Sequence, residues 1–229
     1  MKQKFCIPII KPSQKEVLAV ISKYKSKYDY FEIWLDYIQD LDTEFVKSLS
    51  KIHKEKLIVL FRRQKLEKPT MDKALKHSIL NTLDGSETLV DFDIKTQKND
   101  VLYVASQKLK LSLILSYHNY ELTPSDKFLN TVLKDMEKYS PAIYKISAFC
   151  KTETDAIRLL HILVRLQQQH RQCIILGMGE CGIYTRICGM LLGNVFSFAP
   201  DNIADASAPG QLTRKELLDI SKILSRKFN

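Results

Sequence analysis

Eight short apolar runs, separated by stretches of helical periodicity, restrict the fold of this sequence more than any other feature. The runs are rich in β-branched and aromatic residues, as strands are, and apolar residues recur at helical spacing between them. Strict alternation of strand and helix predicts a parallel sheet with helices packed against it. The predicted strands are Phe5–Ile10, Tyr30–Leu35, Leu57–Phe61, Thr88–Phe92, Leu111–Tyr117, Ala142–Phe149, Cys173–Met178 and Asn194–Phe198.

The number of units predicts closure of the sheet into a barrel. The 229 residues allow about 29 residues for each unit, close to the length of a minimal strand-and-helix pair. No Pro-, Gly- or Ser-rich linker divides the chain, so residues 1–229 are predicted to form a single-domain (β/α)8 TIM barrel of the α/β class. In such a barrel the candidates for chemistry are polar residues at the carboxyl ends of the strands.

The helical stretches carry signals for their buried faces and their first residues. Apolar residues at helical spacing predict a buried face in Ser13–Lys27. Threonines before helical stretches are expected to cap them, because their side chains accept hydrogen bonds from free backbone N–H groups. The predicted buried face comprises Val17, Leu18, Ile21 and Tyr24, and the predicted caps are Thr43, Thr70, Thr123, Thr154 and Thr213.

Composition and charge argue against several classes of protein. Five cysteines without a C-x-x-C pair are unlike a disulfide framework, so reduced thiols and a cytoplasmic location are expected. No stretch approaches the roughly 20 apolar residues of a membrane span, so no membrane partner is expected. The net charge of +9 comes mainly from lysines along Lys11–Lys27 and Lys47–Lys56. Such scattered lysines favour solvated helix faces over a nucleic-acid site, and an anionic substrate stays open.

Lys145 is the most informative candidate for chemistry, since it interrupts an apolar strand that offers its ammonium little water. Burial lowers the pKa of a lysine, and a neutral amine attacks carbonyl groups to form a Schiff base. The alternative is a structural lysine that is paired with a carboxylate or reaches solvent at the sheet edge. Other polar residues near strand ends are Glu32, Asp36, Arg62, Asp91, Asp93, His118 and Arg186.

The period of two in a strand predicts that Glu32, Trp34 and Asp36 share one face. His118 ends the fifth strand, where a lone histidine is more often a core residue that bonds a backbone carbonyl. Beside a lysine nucleophile, however, imine chemistry needs a proton shuttle with a pKa near neutrality. The other four histidines lie in helical stretches without ligand spacing, so no metal site is predicted.

Two turns near the C-terminus could contact a ligand. Gly177–Gly182 spells G-x-G-x-x-G, with Asp201 further along, which matches a dinucleotide fingerprint. Because the motif falls in the seventh unit instead of the first, a tight turn that lets backbone approach a ligand is preferred. Ala206–Gln211 is either a simple connection or a turn that closes over an anionic ligand.

Together these residues resemble the type I 3-dehydroquinate dehydratases, the Schiff-base enzymes of the shikimate pathway. The resemblance extends over nearly the whole chain, and its most specific segments are Met178–Arg186 and Ala206–Gln211. The other matching segments are Phe31–Asp36, Leu60–Arg62, Asp91–Asp93, Leu115–Asn119, Tyr144–Ser147 and Thr152–Asp155.

The resemblance implies a function and a set of roles. Lys145 would form an imine with the ketone of 3-dehydroquinate, and His118 would remove the adjacent proton and then protonate the departing hydroxyl. The products would be 3-dehydroshikimate and water, with no cofactor and no metal. The residues implied in substrate binding are Arg186, Ser207 and Gln211 for the carboxylate, and Glu32 and Arg62 for the ring hydroxyls. A homodimer is expected only because members of the family often dimerise.

The chain departs from the family pattern at two positions. Trp34 stands where the family has an arginine, and Leu66 stands where it has a glutamate that supports the histidine. These changes bear on the orientation of His118 and on the binding of the ring hydroxyls. Two alternatives stay open: a Schiff-base aldolase on the same barrel, which would need a phosphate site in place of Arg186, and a binding module that has lost catalysis.

Overall fold

The computed structural model describes residues 3–53, 57–62, 64–68 and 70–224, and in this part of the chain eight parallel strands form a nearly closed barrel surrounded by eight helices. Neighbouring strands follow chain order from the first to the seventh, and the eighth pairs with the first. The predicted (β/α)8 barrel is confirmed. The strands are β1 (Phe5–Ile9), β2 (Tyr30–Trp34), β3 (Leu57–Leu60), β4 (Leu89–Asp93), β5 (Ser112–Asn119), β6 (Ile143–Phe149), β7 (Cys173–Met178) and β8 (Ser197–Phe198).

The helices lie between the strands and pack on the outside of the barrel. In the first of them Val17, Ile21 and Tyr24 are buried as predicted, but Leu18 is exposed, so its assignment to the buried face is wrong. The lysines that the structure describes along this helix and the next, including Lys23 and Lys47, are mostly exposed, whereas residues 54–56 of the predicted lysine-rich face lie outside the described residues. The helices are α1 (Gln14–Tyr24), α2 (Thr43–His53), α3 (Lys73–Thr82), α4 (Lys98–Ser106), α5 (Asp126–Glu137), α6 (Glu153–Gln168), α7 (Ile183–Leu192) and α8 (Arg214–Leu224).

Of the predicted caps, only Thr213 is confirmed: its Oγ1 accepts from Glu216 N at 3.3 Å. The others are wrong by one or two residues because neighbouring side chains accept those backbone N–H bonds. Two of the threonines bond elsewhere, Thr70 to the Asp36 backbone oxygen and Thr123 to that of Phe149. The observed capping residues are Asp42, Asp72, Ser125 and Thr152.

The barrel closes between β7 and β8 through a side chain. Asn194 Oδ1 accepts from Ile175 N at 2.8 Å, and its Nδ2 donates to Ile175 O at 3.1 Å. The amide thereby takes the place of a strand neighbour, and Val195 N adds a bond to Cys173 O at 3.1 Å. The predicted strand Asn194–Phe198 is therefore shortened to its last two residues.

Successive side chains along each strand point to two different apolar clusters, and this alternation determines where the site lies. Outward side chains such as Ile33 and Leu115 join helix residues in the larger cluster. Inward side chains such as Ile58, Ile114 and Ile174 form a smaller cluster inside the barrel. Nearer the carboxyl ends of the strands the inward residues are polar, so the apolar base of the barrel carries a buried polar layer. Within the described ranges no helix is long and apolar enough to cross a membrane.

Candidate active site

All seven side chains predicted for the site line one pocket at the carboxyl ends of the strands. They come from six different segments of strand, loop or helix, Arg186 being in α7, and the barrel brings them together because its strand ends converge on one face. Apolar side chains form part of the wall, which suits the carbon ring of a small ligand. The seven are Glu32, Arg62, His118, Lys145, Arg186, Ser207 and Gln211, and the wall includes Leu176, Met178, Phe198 and Ala208.

Lys145 lies in β6 and is 4% exposed. Its Nζ is 2.8 Å from Asp91 Oδ2, 3.5 Å from Glu32 Oε2 and 4.5 Å from the centre of the Phe198 ring. Burial acts to lower the pKa of Lys145, but the carboxylates of Asp91 and Glu32 outweigh it, so this pKa lies above its usual range. The expectation of a neutral amine from burial alone is therefore wrong, because two anions face the nitrogen.

Asp91 joins Lys145 to Arg62. Arg62 Nη1 lies 3.3 Å from Asp91 Oδ1 and 3.2 Å from Ser116 Oγ, and Nη2 lies 3.3 Å from Asp91 Oδ2. Ser116 Oγ donates to Asp91 Oδ1 at 2.6 Å. Burial acts to raise the pKa of Asp91, but Arg62 and Lys145 hold it well below its usual range. The carboxylate is thus an anion held between two cations.

Glu32 and Trp34 share the inner face of β2, as the strand period predicts. Trp34 Nε1 donates to Glu32 Oε1 at 3.0 Å, and the Arg62 guanidinium carbon lies 5.9 Å from the centre of the Trp34 ring. The predicted third member of this face, Asp36, is not there. The strand ends at Trp34, and Asp36 turns away to accept from the backbone N–H groups of Thr70 and Met71, both at 2.9 Å.

His118 ends β5 beside the carboxylate of Asp93. Asp93 Oδ2 lies 2.9 Å from His118 N and 3.1 Å from His118 Nδ1. Burial and the nearby Arg62 lower the pKa of His118 to about 4, against the opposing effect of Asp93, so the imidazole of the free protein is neutral at pH 7. The ring also stacks on Tyr120, with 6.2 Å between centres. The side chain of Leu66 lies outside the described part.

Arg186, Ser207 and Gln211 form another part of the pocket lining. Arg186 is 6% exposed, its Nη2 donates to Pro209 O at 3.4 Å, and its Nε has no partner among the described residues. Ser207 and Gln211 bond each other, with Gln211 Oε1 accepting from Ser207 N at 2.9 Å. Burial lowers the pKa of Arg186 to about 10, and no described carboxylate pairs with it. An anionic ligand would supply that missing charge.

The glycine-rich turn serves close packing. A Cβ at Gly177 would lie 2.8 Å from Gly182 Cα, and a Cβ at Gly210 would lie 2.4 Å from Gly179 O. Gly179 and Gly210 also have φ values of +78° and +76°, which favour glycine. The turn after β7 therefore packs directly on the loop that holds Ser207. In the described ranges no group of His, Cys, Asp and Glu has the arrangement of a metal site.

Asp91 and Asp93 were predicted at a strand end, but no catalytic or binding role was predicted for them. The signal was the alternation in Asp91–Asp93, which puts both carboxylates on the inner face of β4. The strand β5 lies beside it and β6 follows, so these carboxylates face His118 and Lys145. Their partners depend on cross-strand distances, which no single strand reveals.

Comparisons with known proteins agree with one another. A family model described as type I 3-dehydroquinase matches residues 5–227. The chain is 29% identical to a 3-dehydroquinate dehydratase from Methanococcus maripaludis, which it matches over 96% of its own length and 99% of the relative's. It is 27% identical to one from Coxiella burnetii, with 94% and 91% covered.

Solved structures share the fold. The 3-dehydroquinate dehydratase of Geobacillus kaustophilus HTA426 superimposes with a TM-score of 0.81 at 22% identity, covering 99% of this chain and 93% of that one. The type I 3-dehydroquinate dehydratase of Clostridium difficile, in a structure with covalently modified comenic acid, gives 0.79 at 23% identity, with 97% and 92% covered.

Proposed function

The chain belongs to the type I 3-dehydroquinase family and is a 3-dehydroquinate dehydratase, and we propose that it carries out this dehydration through an imine formed on Lys145. The observation that carries the proposal is the buried Lys145 ammonium, 2.8 Å from Asp91, in a pocket that it shares with His118. We propose further that the reaction serves the shikimate pathway, which leads to aromatic amino acids, as is expected of a member of this family.

Lys145 would pass one ammonium proton to His118 and attack the substrate ketone. His118 would return that proton to the former ketone oxygen, which leaves as water when the protonated imine forms. The nitrogen is positively charged both in the ammonium and in the protonated imine. Asp91 and Glu32, which stabilise the first, therefore also stabilise the second. That cation withdraws electrons from the neighbouring carbon, so neither a metal nor a coenzyme is required for the acidity of its proton.

His118 would take the proton from the carbon next to the imine and return it to the departing hydroxyl. A neutral imidazole suits the first step, and burial and Arg62 keep it neutral at pH 7. Loss of the hydroxyl as water leaves a conjugated imine on Lys145, and addition of one water to that imine releases the product and restores the amine. Atoms balance, because one substrate yields one product and one water.

The remaining polar residues would orient the ring. Arg186 presents a guanidinium without a carboxylate partner among the described residues, which suits the substrate carboxylate, beside Ser207 and Gln211. Glu32 lies 3.5 Å from the Lys145 nitrogen, and Arg62 bonds the same Asp91 carboxylate as Lys145 does, so both would hold ring hydroxyls.

The proposal is tested by adding purified protein to 3-dehydroquinate and following the ultraviolet absorbance of the conjugated product. Turnover at a rate proportional to enzyme concentration supports it. Binding of 3-dehydroquinate without product would indicate a binding module, and cleavage of a sugar phosphate instead would indicate an aldolase.

A further inference from the structure

We propose that Asp93 is a positioning residue that fixes which ring nitrogen of His118 carries the proton, and so aims the free lone pair into the pocket. The inference rests on the proposed function only for the use of His118 as a base. The arrangement of protons is a property of the free protein and is measurable without substrate.

The contacts of Asp93 allow its carboxylate only to accept a hydrogen bond from His118. Its Oδ1 accepts from Lys95 N and Thr96 N, both at 3.0 Å, and from Thr96 Oγ1 at 3.1 Å. Its Oδ2 accepts from His118 N at 2.9 Å and contacts His118 Nδ1 at 3.1 Å. The three backbone groups are donors, and an ionised carboxylate only accepts. Nδ1 must therefore carry a hydrogen, which leaves the Nε2 lone pair free.

The carboxylate is also rigidly placed. Gln97 Oε1 accepts from Asp93 N at 3.0 Å, and Gln97 Nε2 donates to Phe61 O at 2.9 Å, which ties the end of β4 to β3. Asp93 is 1% exposed, so water does not compete for its oxygens. The bond from His118 keeps the pKa of Asp93 below its usual range, although burial acts to raise it.

Other groups near the imidazole do not set its tautomer. Arg62 and Lys145 bear positive charge and lower the pKa of His118, and Tyr120 stacks on the ring. The Asp93 carboxylate makes a polar contact with a ring nitrogen of His118 and has the hydrogen-bonding character to set the tautomer. The selection between Nδ1–H and Nε2–H therefore falls to this carboxylate.

The variant Asp93→Asn should move the hydrogen of His118 from one ring nitrogen to the other. An amide turns an NH2 group toward either His118 or the donors Lys95 N and Thr96 N. An NH2 group that faces His118 meets one backbone donor, His118 N, whereas the other orientation sets it against two, Lys95 N and Thr96 N. The oxygen is therefore expected to stay on the loop side, and the NH2 to face His118. Nδ1 would then accept, and the hydrogen would move to Nε2, where it blocks proton abstraction.

The test is long-range proton–nitrogen NMR of the histidines in the complete chain at pH 7. We expect the His118 signals of the Nδ1–H tautomer in the wild type and of the Nε2–H tautomer in Asp93→Asn. Asp72→Asn is the matched control, because Asp72 likewise accepts from two backbone N–H groups at the start of α3 but lies outside the pocket. It should keep the wild-type signals. A wild-type His118 in the Nε2–H form, or no change in Asp93→Asn, overturns the proposal.

Kinetics then separates this inference from the function itself. Asp93→Asn should lower kcat about 10-fold or more with little change in KM. Borohydride should still trap the imine on Lys145, because the nucleophile is intact. If neither the wild type nor any variant converts 3-dehydroquinate, the proposed function is wrong, but the NMR assignment of the His118 tautomer remains valid. If Asp93→Asn matches the wild-type kcat and folds normally, the positioning role is refuted.

Discussion

Asp91 Oδ2 lies 2.8 Å from Lys145 Nζ, while Asp91 Oδ1 lies 3.3 Å from Arg62 Nη1, so two buried cations share one buried carboxylate. The arrangement explains how a lysine can lie inside an apolar barrel and remain charged. It also means that the nucleophile depends on a residue on a different strand. Removing that carboxylate would take from Arg62 and Lys145 the anion that they share and would leave Lys145 facing the more distant Glu32, at 3.5 Å.

Asp91→Asn should therefore destabilise the fold. Breaking a buried charge pair by removal of one partner costs about 3–5 kcal/mol. Asp219→Asn removes a carboxylate from an exposed pair with Lys222 and should change the free energy of unfolding by at most about 1 kcal/mol. Urea unfolding of both variants and the wild type measures the two changes. Equal losses in the two variants would contradict the charge network.

The depressed pKa of His118 predicts how stability depends on pH. Between about pH 4 and its unfolded value of about 6.5, the unfolded chain binds a proton at this site and the folded chain does not. Stability due to this group is full above pH 6.5 and is lost as pH falls toward 4. The loss at pH 5 is about 2 kcal/mol.

The check compares the free energy of unfolding at pH 7.5 and pH 5.0 for the wild type and for His118→Gln. The variant should lose about 2 kcal/mol less than the wild type between the two values. If both lose the same amount, the imidazole is not buried in its neutral form.

The two buried arginines of the pocket should respond differently to the same substitution. Arg62 bonds Asp91, so Arg62→Met leaves an anion behind and should destabilise the fold. Arg186 has no carboxylate partner among the described residues, so Arg186→Met should leave the melting temperature unchanged or higher. The Arg186→Met variant should raise KM for 3-dehydroquinate about 10-fold or more, because a charge-assisted bond to the substrate contributes about 1.5–3 kcal/mol. A lower melting temperature with normal KM would contradict the role of Arg186 as the anion site.

Trp34 offers one donor to Glu32, where the family pattern has an arginine with five donors and a charge. If ring hydroxyls are held by hydrogen bonds of about 0.5–1.5 kcal/mol each, Trp34→Arg should lower KM roughly threefold to tenfold per contact. The pH optimum of Trp34→Arg should equal that of the wild type, since His118 remains the base. KM and melting temperature are measured together, with Trp34→Phe as the control that keeps a ring and removes the donor. An unchanged or higher KM in a stable Trp34→Arg protein, as repulsion from Arg62 would cause, refutes this account of the position.

The barrel could be predicted from the sequence because its signal is repeated eight times and depends on neighbouring residues only. Hydrogen bonds for which several neighbouring side chains compete were harder to predict from the sequence. Thr70 precedes a helical stretch and was predicted to cap it, but Asp72 is the capping residue of α3. The backbone N–H of Thr70 donates to Asp36 instead. That bond in turn holds Asp36 away from the pocket, although the strand period had placed it with Glu32.

The same limit applies to the site. The rule that chemistry lies at strand ends pointed to five residues of the pocket, and the family resemblance added Ser207 and Gln211. The five are Glu32, Arg62, His118, Lys145 and Arg186. The sign of the pKa shift at Lys145 was not accessible, because burial and a carboxylate on another strand act in opposite directions. The partner of His118 was likewise hidden: the position of the family glutamate holds Leu66, and the carboxylate that contacts the ring is Asp93, 25 residues before it.

The most direct test of the account is reductive trapping of the enzyme with its substrate. Borohydride added during turnover of 3-dehydroquinate should leave a stable adduct, and peptide mass spectrometry should place it on the peptide that contains Lys145. Lys145→Ala should give no adduct and lose about 10³-fold or more in rate. An adduct on another lysine, or full turnover with no adduct at all, would contradict the assignment of Lys145 as the nucleophile.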